Sequence, residues 1–305
     1  MILKKLQKEF LSSAGQKIAP EDFFVLLAHA TNKDKTFLFA HPEYELDTRT
    51  ETKAREYFSR RAKHEPVAYV VGHKEFYGRD FQVTPATLIP RPETELLIEL
   101  ILEKIKSDTK RRPSTQAIFL TDIGTGSGNI VVTLAKEIKN PTYTFHATDI
   151  SSKALNVAKK NAKRHNVENI ISFYEGNFLD PLKEKLVTAN EIIIVANLPY
   201  LSEKIWQSAE DDVKIFEPKT ALVSAQVGLD HYYRLFDQVK SLNTDFFRDR
   251  EKSQTSQKQS VMLFLEISPE QTPLIKQYFS KNFPKATFTI HPDLSSRDRV
   301  VVLSL

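Results

Sequence analysis

The sequence predicts an α/β fold in which a small helical domain precedes a mostly parallel sheet flanked by helices. Three observations predict it. Apolar residues recur at helical spacing through about Arg61, strand-like and helix-like runs alternate from Ala117 onward, and a glycine-rich turn joins the first of those strands to its helix. A chain of 305 residues, at roughly 150 residues per domain, fits two domains.

Leu3, Leu6 and Phe10, then Phe23, Phe24 and Leu27, carry the helical spacing of the first domain, and Pro20 followed by Glu21 and Asp22 reads as a helix start. Between Glu75 and Thr84 the pattern shortens to Phe76, Phe81 and Val83 around Gly78-Arg79-Asp80, which reads as a hairpin. The expected limits are 1–73 for the helical domain, 74–88 for the linker hairpin and 89–305 for the second domain. Pro90 and Pro92 bracket Arg91 and lead through Glu93, Thr94 and Glu95 into an apolar run, as at a helix N-terminus. Strands are expected at Ala117–Thr121, Tyr143–Thr148, Ile170–Tyr174, Glu191–Ala196 and Val261–Glu266, with a closing pair at Ala286–His291 and Val300–Leu303. Helices are expected after Ser127, at Ser152–His165 and near Pro269–Phe279. Residues 243–260 are polar and Gln/Ser-rich and read as a flexible insertion.

Composition excludes several classes. The chain has no cysteine, which removes disulfides, cysteine metal sites and thiolate nucleophiles and fits a reduced, cytoplasmic setting. The eight histidines show no ligand-spaced pair, so no metal is expected. A net charge of +4 does not by itself call for nucleic acid or an anionic membrane. Neither a signal peptide nor a membrane span is expected.

Glycine is scarce, 8 residues in all, yet three fall within five positions of Asp122-Ile123-Gly124-Thr125-Gly126-Ser127-Gly128. No Gly-Lys-Ser/Thr follows, and Asn129 stands where a dinucleotide fingerprint has its third glycine, so neither a P-loop nor an NAD site is read here. Asp149, 23 residues past Gly126 at the end of the next strand, suits the two hydroxyls of a ribose. A ribose without a pyrophosphate points to S-adenosylmethionine. The cofactor candidates are Gly124, Thr125, Gly126, Ser127, Gly128 and Asp149, joined by Asn177 for an adenine edge and Phe178 for its face, and by Asn197.

The fourth strand runs into Asn197-Leu198-Pro199-Tyr200. Pro199 holds Leu198 extended, so the Leu198 carbonyl and the Asn197 side-chain carbonyl form a pair of acceptors for a planar NH₂, over which Tyr200 can stack. These four residues are the candidate catalytic and substrate-binding set. No catalytic base is assigned: the acceptor is an amide or an aromatic amine, and its nitrogen becomes acidic after methyl transfer.

The chain resembles the peptide chain release factor glutamine methyltransferases over nearly its whole length. The resemblance rests on Glu65-Pro66-Val67-Ala68-Tyr69, Gly72, Glu75-Phe76-Tyr77-Gly78, Phe81, Val83 and Ile89-Pro90-Arg91-Pro92-Glu93-Thr94-Glu95, then on Asp122 to Gly128, Val213, Phe216-Glu217-Pro218, Thr220-Ala221-Leu222, Glu266 and Gln271. It implies a Rossmann-like class I S-adenosylmethionine-dependent methyltransferase domain behind a helical domain that docks the release factor. The reaction implied is methylation of the glutamine amide nitrogen in a Gly-Gly-Gln motif, in support of translation termination. The expected partners are therefore release factors, with no membrane and no nucleic acid, and the enzyme is expected to be a monomer.

Three positions depart from the family pattern: Leu198 replaces the first proline of the usual Asn-Pro-Pro-Tyr, Ser268 stands where glycine is usual, and the polar insertion replaces a glycine-rich turn. Leu198, with the basic stretches Lys104–Arg112 and Lys159–Arg164, keeps open a methyltransferase acting on an exocyclic amine of nucleic acid. A non-catalytic release factor or ribosome binder is the other alternative.

Overall fold

A computed structural model describes residues 1–13, 19–109, 117–186, 189, 191–250 and 260–305, with the backbone alone for Ser13, Asp108, Thr109 and 243–250. The chain divides into two compact units, 1–73 with 83–85 and 209–217, and 74–82 with 86–208 and 218–305.

The first unit is helical: α1 (Leu3–Ser13), α2 (Pro20–Thr31), α3 (Lys35–Ala40), α4 (Thr48–Arg61) and α5 (Val67–Val71). Its helix starts are set by local chemistry. Pro20 occupies the first turn of α2, the Asp34 carboxylate accepts the Thr36 N–H at 2.6 Å, and the Asp47 carboxylate accepts the Thr50 N–H at 2.8 Å. The apolar stripes of α1, α2 and α4 meet in a phenylalanine core, with Phe10 and Phe23 packed on Phe58 at centroid distances of 4.5 and 5.2 Å. Residues 209–217, which contain the short helix Asp211–Phe216, complete this unit. Arg61 at the end of α4 donates to Asp22 at 2.7 Å and to Asp212 at 2.6 Å.

The hairpin pairs β1 (His73–Phe76) with β2 (Arg79–Gln82). Its turn is Tyr77-Gly78, with φ of 52° and 68°, so Arg79 and Asp80 lie in the second strand and not in the turn. Left-handed geometry at two successive residues matches the right-handed twist of the flanking strands.

The second unit continues with α6 (Glu95–Thr109), β3 (Ile118–Ile123), α7 (Asn129–Glu137), β4 (Tyr143–Asp149), α8 (Ser152–Arg164), β5 (Ile171–Glu175), β6 (Glu191–Ala196), α9 (Asp230–Arg250), β7 (Ser260–Glu266), α10 (Thr272–Asn282), β8 (Thr287–Pro292) and β9 (Asp298–Ser304). The seven-stranded sheet has the order β5-β4-β3-β6-β7-β9-β8, its first five strands parallel and the β8–β9 hairpin antiparallel. β3, β6 and the body of β7 are apolar almost throughout because both faces are covered. Helix α9 extends through Arg250, so residues 243–250 of the expected insertion are helical; 251–259 lie outside the described residues, and its last residue, Ser260, opens β7. Residues 243–250 contain neither glycine nor proline to stop a helix.

Register decides where the site forms. Ile123 lies beside Thr148 on one side and Ala196 on the other. Gly124 and Asn197, the first residues past β3 and β6, therefore stand level with Asp149, the last residue of β4. This is the point where the strand order reverses, at the carboxyl ends of the strands, where open α/β sheets leave a crevice.

Candidate active site

The turn after β3 is built on left-handed backbone at Gly124, Gly126 and Gly128, with φ of 71°, 56° and 79°. Gly124 is also a close-approach position, since a Cβ there would lie 2.9 Å from Leu198 Cδ2. The buried Asp122 carboxylate staples the turn by accepting from Thr125 Oγ1 at 2.7 Å and from the Val131 N–H at 3.3 Å. Burial, with the Asp149 charge nearby, pushes its pKa up to about 7.

Four amides of this turn are engaged within the protein. Gly124 and Thr125 donate to the Thr148 carbonyl, Gly126 to Asp149 Oδ2 at 2.9 Å, and Gly128 to the Thr125 carbonyl. Gly124 and Gly126 turn bare Cα surface to the cavity described below.

Asp149 is held from both sides, Oδ2 by Gly126 and Oδ1 by the Ser151 N–H at 2.9 Å. Burial raises its pKa while those backbone bonds oppose the rise. Phe178 has a left-handed φ of 50° and is largely buried, with the Arg234 guanidinium 5.3 Å above its ring and His231 edge-on at 6.0 Å. Asn177 accepts the Asp180 N–H through its carbonyl.

The acceptor tetrapeptide is tied at every residue but the proline. Asn197 Nδ2 donates to Thr94 Oγ1 at 3.0 Å, and Thr94 Oγ1 donates to Glu266 Oε2 at 2.7 Å. Asn197 Oδ1 is shielded from solvent and meets no donor among the described residues. The Leu198 N–H donates to the Tyr232 hydroxyl at 3.3 Å, and that hydroxyl donates in turn to the Glu266 carbonyl. Tyr200 donates its hydroxyl proton to Glu266 Oε1 at 3.3 Å, and its carbonyl accepts from Gln271 Nε2 at 3.1 Å. Gly228 fits only as glycine, because a Cβ would lie 2.0 Å from the Tyr200 carbonyl oxygen.

One cavity of about 410 Å³ gathers these parts, within the size range of small-ligand clefts. Of the sequence-designated residues, all but Gly128 and Tyr200 line it. Gly128 instead packs its bare Cα against Ala158 of α8, and Tyr200 turns its hydroxyl away to Glu266. Thr87, Thr94, His231 and Arg234 line the cavity without having been designated for ligand contact. Thr94 sat inside a recognised motif, whereas nothing in the sequence flags His231 or Arg234, which α9 brings in from over thirty residues downstream of the tetrapeptide.

No group of histidines, cysteines and carboxylates among the described residues could hold a metal ion, and no described helix is long and apolar enough to cross a membrane. The residues present do fit S-adenosylmethionine: a carboxylate oriented by two backbone N–H groups, a glycine turn that allows close approach, and a buried acceptor with no donor beside it.

Comparison with known families places the PrmC N-terminal domain at residues 4–72 and a methyltransferase domain at residues 116–266. A release factor glutamine methyltransferase of Bacillus anthracis is 34% identical over 278 residues, covering 91% of this chain and 89% of that one. One of Koribacter versatilis is 40% identical over 215 residues, covering 70% and 72% of the two chains. Among solved structures, the N-terminal domain of human METTL16 aligns with a TM-score of 0.45 at 17% identity, over 91% of this chain and 92% of that one. With a Rossmann-like methyltransferase domain behind a PrmC-type helical domain, and relatives this similar along most of its length, the chain belongs to the release factor glutamine methyltransferase family.

Proposed function

We propose that this protein uses S-adenosylmethionine to methylate the side-chain amide nitrogen of the glutamine in the Gly-Gly-Gln motif of peptide chain release factors. Family membership supports the reaction class and the substrate. The observation that carries the assignment of residues is Asn197, which lines the same cavity as Asp149 and whose buried Oδ1 has no donor among the described residues.

Asp149 accepts the ribose hydroxyls, and Gly124 to Ser127 take the cofactor's flank against their Cα surface. Bound S-adenosylmethionine supplies an electrophilic methyl group on a sulfonium. Asn197 Oδ1 and the Leu198 carbonyl accept the two N–H groups of the substrate amide, which fixes its plane and turns the nitrogen lone pair toward that methyl group. An amide nitrogen is a weak nucleophile, so the rate gain comes from orientation and from excluding water, not from a base on the enzyme. The proton leaves after transfer, when the nitrogen has become acidic.

The test is incubation with methyl-labelled S-adenosylmethionine and a release factor, its glutamine-to-alanine variant, or ribosomal RNA. Label is expected on the release factor alone, to vanish with the substrate substitution, and to fall by about 10²-fold or more in kcat/KM for Asn197→Ala. Label on RNA with none on the release factor would overturn the substrate assignment.

A further inference from the structure

Glu266 is fully buried, yet it lies off the cavity wall and has no ion-pair partner among the described residues. The carboxylate accepts from Thr94 Oγ1 at 2.7 Å and from Tyr200 Oη at 3.3 Å. The two bonds reach the two ends of the acceptor tetrapeptide: Tyr200 directly, and Asn197 through Thr94, whose Oγ1 receives Asn197 Nδ2 at 3.0 Å.

Proton counting makes this arrangement directional. A threonine hydroxyl carries one proton. While Glu266 is ionised it can only accept, so Thr94 must send its proton there and can only accept from Asn197. The atom of Asn197 facing Thr94 is then the NH₂ group, and Oδ1 is left for the substrate. A neutral carboxyl group can donate to Thr94, which frees the threonine proton to turn toward Asn197. The Asn197 amide can then rotate by half a turn at no loss of hydrogen bonds, presenting NH₂ where the substrate needs an acceptor. A substrate amide offering two donors would meet a donor.

We propose that Thr94 and Glu266 are positioning residues that set the orientation of the Asn197 amide, so that the site captures a substrate amide only while the Glu266 carboxylate is charged. This rests on the reading of Asn197 Oδ1 as the acceptor for the substrate amide. Glu266 lies off the cavity wall and Thr94 on it, and both set the substrate's acceptor through Asn197.

The surroundings of Glu266 put its ionisation within reach of ordinary pH. Burial, with Glu93 on the neighbouring turn, pushes its pKa up to about 7, against the opposing hydrogen bonds from Thr94 and Tyr200 and the charge of Arg299 on β9. Arg299 is itself engaged by Asp293 at 3.0 Å. The hydroxyl of Tyr232, from α9, donates to the Glu266 backbone carbonyl and not to the carboxylate.

The experiment compares single-turnover methylation of a release factor by wild type, Thr94→Val, Thr94→Ser, Glu266→Gln and Asn197→Ala between pH 6 and 8.5, with S-adenosylhomocysteine affinity measured for each. Wild type should lose rate toward the acid side, approaching tenfold per pH unit. Thr94→Val should be slowed at least tenfold across the range with S-adenosylhomocysteine affinity unchanged, and Thr94→Ser should recover most of the rate. Glu266→Gln should show a low rate without the acid limb, because its amide can donate to Thr94 at every pH. An acid limb that persists in Glu266→Gln, or equal rates for Thr94→Val and Thr94→Ser, would overturn the proposal. A slow Asn197→Ala beside a fully active Thr94→Val would sink the positioning role alone, whereas a fully active Asn197→Ala would sink the reading of the acceptor loop beneath it.

Discussion

Leucine at the first variable position of the acceptor tetrapeptide brings a backbone N–H that proline would not have, in a place where no water can satisfy it. Leu198 is buried, and its N–H finds the Tyr232 hydroxyl. The tyrosine thus repairs locally what the departure from proline opens. Tyr232→Phe should leave that donor unpaired at a cost of about 1–3 kcal/mol. In the Tyr232→Phe background, Leu198→Pro should recover part of the loss, because proline carries no N–H. A double-mutant cycle on urea stability and on kcat checks this, and strictly additive effects would separate the two residues.

The segment 209–217 leaves its sequence neighbourhood to join the helical unit, where Asp212 meets Arg61. The Arg61 side chain is only 12% exposed and bridges two carboxylates, so Arg61→Ala leaves Asp22 and Asp212 without their counter-charge. With both aspartates partly solvated, a loss of roughly 1–3 kcal/mol is expected, with a visibly lower Tm, and Asp212→Asn should cost less.

The sequence made the sheet legible: every strand was anticipated to within a few residues, because apolar runs between turns are local signals, whereas the last eight residues of α9 were read as a flexible insertion. Elements of six residues or fewer between Tyr200 and Asp230 were not read, since a single turn has no period to detect. The hairpin turn was placed one residue late, because Tyr77 takes a left-handed φ that its side chain does not announce. At the site, Asp149 and Asn197 were readable from strand ends. The partners that orient Asn197 were not, because Thr94 and Glu266 stand 172 residues apart and meet only once the sheet has formed.

For the whole molecule, two buried carboxyl groups set a pH dependence of stability opposite in sign to that expected of activity. Asp122 and Glu266 both move from ordinary values of 3.8 and 4.5 up to about 7 in the folded state. Between those limits the folded protein keeps protons that the unfolded chain has released. Their contribution to stability is therefore full below about pH 4, falls as pH rises toward 7, and is flat above it. Thermal unfolding followed from pH 5 to 8 should show this component, and Asp122→Asn should shrink the slope. A slope unchanged by that substitution would remove Asp122 from the account. The charge on Glu266 that orients Asn197 is thus held at some expense of stability, a common balance at functional sites.

The discontinuous helical unit has a consequence for how the protein can be cut or built. The chain passes between its two units five times, after residues 73, 82, 85, 208 and 217. A single nick by a protease in any one of these crossings leaves the halves covalently tethered through others, so domain release requires several cuts. During synthesis, the helical unit waits for its last segment until the ribosome has already delivered β3 to β6. A gene fragment ending after the hairpin would therefore encode a unit whose Arg61 has lost one of its two carboxylates.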